Sequence, residues 1–146
     1  MSLSKRCSAL VFFVLLFGVI AVQAQEPATA VSTITAEELK AKLAKNEPVL
    51  ILDVRSSEGF ASSTTTVKGS MHFKVRHLKS RLPYPPFKDL PRDREIVTYC
   101  ACPKDESSIS AAQILQASGF KRVKVLQGGW TEWLKANGPV QPRAKT

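Results

Sequence analysis

Two runs, each ending at a chemically active residue, constrain this chain more than any other feature. Val49-Leu50-Ile51-Leu52-Asp53-Val54 is a continuous apolar stretch closed by an acid, and Glu95-Ile96-Val97-Thr98-Tyr99-Cys100 is its counterpart. A strand with one wet face alternates apolar and polar residues. A run that does not alternate fits a strand covered on both faces, as in a parallel sheet. Helical stretches separate such strands here, which predicts an α/β fold. With 146 residues the chain has room for one domain with a real core and no second ordinary one.

The elements around these runs carry their own signals. Thr35 and Glu38 form a capping box, and Ile34 and Leu39 stand at the two positions of a hydrophobic staple. They predict a helix from Ala36 to about Lys45 with Leu39 and Leu43 buried. Ser56 to Ala61 reads as a short helical turn, Ser62 to Thr66 as loop, Ser70 to Phe73 as a weaker strand, and Val75 to Leu82 as a helix. Pro83, Pro85, Pro86 and Pro91 make the next stretch an extended surface segment. Ser107 to Ser118 is helical, with Ile109, Ala112 and Leu115 inward, Gly119 as its C′ residue and Phe120 as the apolar contact behind it. Arg122 to Leu126 is a third strand. Gly128-Gly129 turns into a last helix whose Trp130 and Trp133 pack on the sheet, and Gly138-Pro139 ends it.

Residues 1–24 read as a secretory signal peptide. Lys5 and Arg6 precede an uncharged run from Ala9 to Val22, and Val22-Gln23-Ala24 supplies small residues at a cleavage site. The run is roughly 14 residues against the ~20 a bilayer-spanning helix needs, so stable membrane insertion is not expected once it is removed. The expected mature protein is periplasmic or secreted. It has a disordered leader at residues 25–31, a domain over 32–140 and a disordered tail at 141–146. Removing Lys5 and Arg6 from 21 basic residues leaves 19 against 12 acids. The positive charges are scattered and lack the interleaved aromatics of a base-stacking surface, so no nucleic-acid partner is expected.

Two cysteines remain after such processing, Cys100 and Cys102. They are too few for a disulfide framework and wrongly spaced for structural zinc, so no metal and no organic cofactor is implied. Their position points to chemistry. In open parallel sheets, sites form beyond the carboxyl ends of strands, where Asp53 and Cys100 both fall. A cysteine between a strand and a helix meets converging backbone N–H groups and a positive helix end that lowers its pKa. Ser107 and Ser108 are candidate N-caps that add hydroxyl donors.

Three segments together resemble the rhodanese-like (sulfurtransferase) family: Leu50 to Arg55 with Phe60 behind it; Ile96 to Cys100; and Gly119 to Val123 running into Leu126-Gln127-Gly128-Gly129-Trp130 and Trp133. They stand in the family's order and cover most of the mature chain. The resemblance implies a five-stranded parallel sheet with helices on both faces. It further implies a strand-end cysteine that carries the transferred sulfur, and Asp53 with Arg55 as a structural charge pair near the loop.

The departures are equally specific. Where the family usually has Gly-His-Ile-Pro-Gly-Ala, this chain has Thr65-Thr66-Val67-Lys68-Gly69-Ser70. Counted from Cys100, the place of the family's basic loop residue is Asp105, followed by Glu106. Two acids raise a thiol pKa and repel an anion such as thiosulfate. No arginine follows Cys100 before Arg122, which argues against phosphatase and arsenate-reducing chemistry, where arginine grips the oxyanion. Cys100 ends the strand and is the expected nucleophile. Cys102 stands 17 positions before Gly119, the more usual separation, against 19 for Cys100. The expected site is thus Cys100 and Cys102, with Ala101, Lys104, Ser107 and Ser108 in the loop. The expected function is a sulfurtransferase, a monomer taking sulfur from a small donor to a thiol or protein acceptor. A thiol–disulfide redox protein using the C-x-C pair and a non-catalytic binding module remain open.

Overall fold

The computed structural model describes residues 30–144; the signal-peptide reading and nearly all of the proposed leader lie outside them. Thirteen elements follow in order: β1 (Ser32–Ile34), α1 (Ala36–Ala44), β2 (Val49–Asp53), α2 (Ser57–Ala61), β3 (Thr65–Val67), β4 (Met71–His72), α3 (Val75–Arg81), a 3₁₀ turn (Phe87–Asp89), β5 (Glu95–Tyr99), α4 (Glu106–Ala117), β6 (Arg122–Leu126), α5 (Gly129–Lys135) and β7 (Val140–Pro142). Five strands form an all-parallel sheet in the order β1-β6-β5-β2-β4. The two apolar runs, β2 and β5, pair with each other near its centre, where both faces are covered. The α/β fold with a five-stranded parallel sheet and helices on both faces is the architecture the sequence implies.

Strand parity divides the core. Leu52, Val54, Ile96, Cys100, Val123 and Val125 face one way, against Leu78 of α3 and Ala111, Ala112 and Leu115 of α4. Ile51, Val97, Tyr99 and Leu126 face the other, against Ala36 and Leu39 of α1 and Trp133 of α5. The capping box at Thr35 is complete, and its staple partners Ile34 and Leu39 are both buried. Helix α4 ends in the paired bonds of a Schellman motif, from Gly119 N to Gln116 O and from Phe120 N to Leu115 O, with Gly119 at φ +93°.

Four local expectations are corrected. The Ser/Thr run is not all loop: Thr65–Val67 forms β3, antiparallel to β7. Residues 141 and 142, expected in a disordered tail, form the other half of that pair, and Arg143 N donates to Thr64 O. Backbone pairing, which neither segment's composition announces, holds both. Ile109 is exposed rather than inward, because α4 is docked through the Ala111–Ala112–Leu115 face. The proline-rich segment is not wholly superficial, since Phe87 is fully buried and meets Phe73 with ring centroids 5.0 Å apart. Prolines shape the path there, and one aromatic anchors it. Phe87→Ala leaves a cavity under α3 and α4 and is expected to lower stability by about 3–5 kcal/mol in chemical denaturation; a loss below about 1 kcal/mol would show the segment to be peripheral.

Candidate active site

The carboxyl end of β2 carries a buried ion pair. Asp53 and Arg55, both essentially inaccessible, meet through Arg55 Nη2 to Asp53 Oδ2 at 2.6 Å and through Nε to both carboxylate oxygens at 3.0 and 3.1 Å. Tyr99 at the end of β5 donates its hydroxyl to Asp53 Oδ2 at 2.7 Å and accepts from Val67 N at 3.2 Å. Burial pushes the Tyr99 phenol well up, and the Asp53 carboxylate adds to this, so it remains a donor. The Arg55 guanidinium lies 4.5 Å from the Trp130 ring centroid and also faces Phe60 and Tyr99. Trp130 packs against the sheet cluster as expected and also caps this cation. His72 stacks on Phe60 at 3.8 Å and contacts Arg55 O, and His77 is exposed; neither approaches the cysteines as a base.

The cysteine loop is held from the opposite side by the turn between β6 and α5. Trp130 N donates to Cys100 O at 2.8 Å. Gly129 has φ +49°, and a Cβ there would come within 2.1 Å of Cys100 O, so only glycine lets α5 start against the loop. Asp105, at φ +54°, precedes α4 without capping it. Its carboxylate instead accepts from Gly128 N at 2.9 Å. The acid expected to spoil the loop as an anion site is committed to holding two loops together.

The two sulfurs have different surroundings. Cys100 is fully buried within the cluster formed by the sheet and α4, whereas Cys102 is half-buried and packs against that cluster. Cys100 follows the same parity as Ile96 and is buried in the cluster that includes Ala111, Ala112 and Leu115 of α4. Cys102 N donates to Cys100 Sγ at 3.3 Å, and Cys102 Sγ lies 3.2 Å from Ser107 Oγ. Burial pushes the Cys100 thiol up; hydrogen bonding with the Cys102 thiol adds to that, against the opposing pull of Ser108. For Cys102, burial and Glu106 push upward, but the Cys100 thiol and the hydroxyl and N–H of Ser107 outweigh them, and its pKa falls below the ordinary thiol value. Ser107 and Ser108 are therefore not caps: they lie inside the first turn of α4, facing the sulfurs.

A cavity of about 240 Å³ opens beside Ser107, lined also by Arg55, Glu58, Lys74 and Arg76. Lys74 and Arg76 escaped the sequence reading because only the fold brings the β4–α3 connection next to the loop. Lys104 is exposed and lines a separate cavity with Val31, Thr33 and Ile109, and Ala101 is exposed on the loop. Among the described residues, no three His, Cys, Asp or Glu side chains come together to hold a metal, and no helix is long and apolar enough to cross a membrane.

Residues 35–136 match the rhodanese-like domain. The chain is 27% identical over 110 residues to a sulfurtransferase of Allochromatium vinosum, covering 75% of this chain and 94% of that protein. It is 31% identical over 129 residues to arsenate reductase 2.1 of Oryza sativa subsp. japonica, covering 81% and 76% respectively. Among solved structures, a human single-domain sulfurtransferase is similar with a TM-score of 0.59 at 26% identity, covering 72% of this chain and 96% of that one.

The contrast between the sulfurs predicts their order of reaction. Limiting iodoacetamide at neutral pH should label Cys102, whose thiolate persists to lower pH, and Cys100 should follow only as the pH is raised. Peptide mapping reads the order; label reaching Cys100 first would contradict the assignment.

Proposed function

The chain belongs to the rhodanese-like family, and from that premise we propose that it is an exported sulfurtransferase carrying sulfane sulfur as a persulfide on Cys102. The observation that carries this reading is the placement of Cys102. Cys102 is half-buried and its sulfur is 3.2 Å from the hydroxyl of Ser107, which lines a cavity, while Cys100 is sealed in the core. A nucleophile must reach its substrate, and the thiolate is the reactive form.

The transfer has two displacements. The Cys102 thiolate attacks the outer sulfur of a donor such as thiosulfate. A new S–S bond forms, the donor's S–S bond breaks, and sulfite leaves with the electron pair. An acceptor thiolate then attacks the outer sulfur of the persulfide, takes it as its own persulfide, and returns Cys102 as thiolate. The N–H and hydroxyl of Ser107 favour the anion in both resting forms. Cys100 suits a second reading in which its thiolate attacks the inner sulfur. That step would form a Cys100–Cys102 disulfide and, with one proton, release HS⁻; the contact between the two residues supports it.

Arsenate reduction, after which the rice relative is named, fits less well. The arginine of a Cys-x5-Arg oxyanion grip would stand at the position of Ser108. The apolar run and small residues before Gln25 support export, and the expected setting is a monomer outside the cytoplasm.

Steady-state transfer from thiosulfate to a small thiol tests the assignment. Cys102→Ser should lower kcat/KM by more than about 100-fold, while Cys100→Ser retains it within about 10-fold. Full activity in the Cys102 variant would overturn the proposal.

A further inference from the structure

The cavity beside Ser107 has a charge pattern that the cysteine loop alone does not. The loop contributes Glu106 near Cys102, Asp105 is bound to Gly128 N, and no cation of the loop lines this cavity. Lys104 lines a different cavity. The cations come from elsewhere in the fold. His72 ends β4 in register with Asp53 of β2, and Phe73 N donates to Asp53 O, which brings Lys74 to the carboxyl edge of the sheet. Helix α3 follows and packs on α4, the helix that carries Ser107. Lys74 and Arg76 thereby line the same cavity as Ser107, whose hydroxyl is 3.2 Å from Cys102 Sγ.

Neither of these cations is spent on an ion pair. Among the described residues no carboxylate lies within 4.0 Å of Lys74 or Arg76, and Arg76 Nε donates to His77 Nε2 at 3.2 Å. Arg55, also at the cavity, is neutralised by Asp53. Glu58 is the single acid of the lining, against two free cations. Lys74 is half-buried, so its charge acts with less screening than one in open water.

We infer that Lys74 and Arg76 hold the anionic part of the sulfur donor, supplying from the β4–α3 connection the positive charge that the cysteine loop lacks. The inference rests on Cys102 as the nucleophile. What it adds is the place of the binding charge, on two residues outside the cysteine loop. Lys74 and Arg76 are positioning residues: they touch the donor's charge and leave the sulfur chemistry to Cys102.

Paired alkylating probes of similar size and different charge test this on the full chain. Iodoacetate is an anion and iodoacetamide is neutral, and both report on the same thiolate, so their rate ratio at Cys102 isolates the local field from thiol pKa. In the Lys74→Gln/Arg76→Gln protein the iodoacetate-to-iodoacetamide ratio should fall about five-fold at low ionic strength, and 1 M salt should erase the difference. The charge-conserving Lys74→Arg/Arg76→Lys protein should keep the ratio, and in the neutral variant KM for thiosulfate should rise with kcat little changed. An unchanged ratio in the neutral variant, or a parallel fall of both rates, overturns the inference. Failure of iodoacetamide to react at Cys102 in the unaltered protein overturns the nucleophile assignment, and this inference with it.

Discussion

The buried pair of Asp53 and Arg55 is the constraint on which the site's geometry depends. Two opposite charges buried at the end of β2 are tolerable because they pair with each other and both Asp53 oxygens are occupied, although Arg55 Nη1 is left without a partner. Asp53 receives Arg55 and the Tyr99 hydroxyl, and Arg55 Nη2 also donates to Thr65 O. Those bonds tie the ends of β2 and β5 to β3. The guanidinium also sets the seat of Trp130, whose N–H holds the Cys100 carbonyl. Removing one member of such a pair strands the other charge, at a typical cost of about 3–5 kcal/mol. The pair thus acts on the chemistry through position, although neither residue touches a sulfur.

From this anchor the loop's electrostatics follow. An acid at Asp105 would disfavour a thiolate if it faced one. Its left-handed backbone turns the carboxylate toward Gly128 N, and Gly129 lets the two loops approach within a distance no side chain permits. Ser107 and Ser108 are left to contact the sulfurs from the first turn of α4. The loop therefore stabilises an anion through neutral donors, with the free cations placed across the cavity on another element.

Much of the fold was legible because burial on both faces leaves a direct trace in composition. The runs at Val49 and Glu95 pair at the centre of the sheet, and the Thr35–Glu38 box starts a helix where it should. What escaped was set by tertiary context. The pairing of Thr65–Val67 with Val140–Pro142 joins segments far apart in sequence that carry no strand signal of their own. Phe87 is an anchor inside a stretch whose prolines suggest only surface. The burial of Cys100 was readable, since it shares the parity of Ile96 and falls with the core-facing residues of the sheet. Lys74 and Arg76 left no trace, because a cation's role here depends on which elements become neighbours.

The central claim is that Cys102, the half-buried thiol beside Ser107, carries the sulfur. Tandem mass spectrometry of the reduced protein after brief exposure to thiosulfate tests it most directly. The account predicts a gain of about 32 Da, one sulfur atom, localised to Cys102. The same gain localised to Cys100, or no gain while both thiols are demonstrably free, would contradict it.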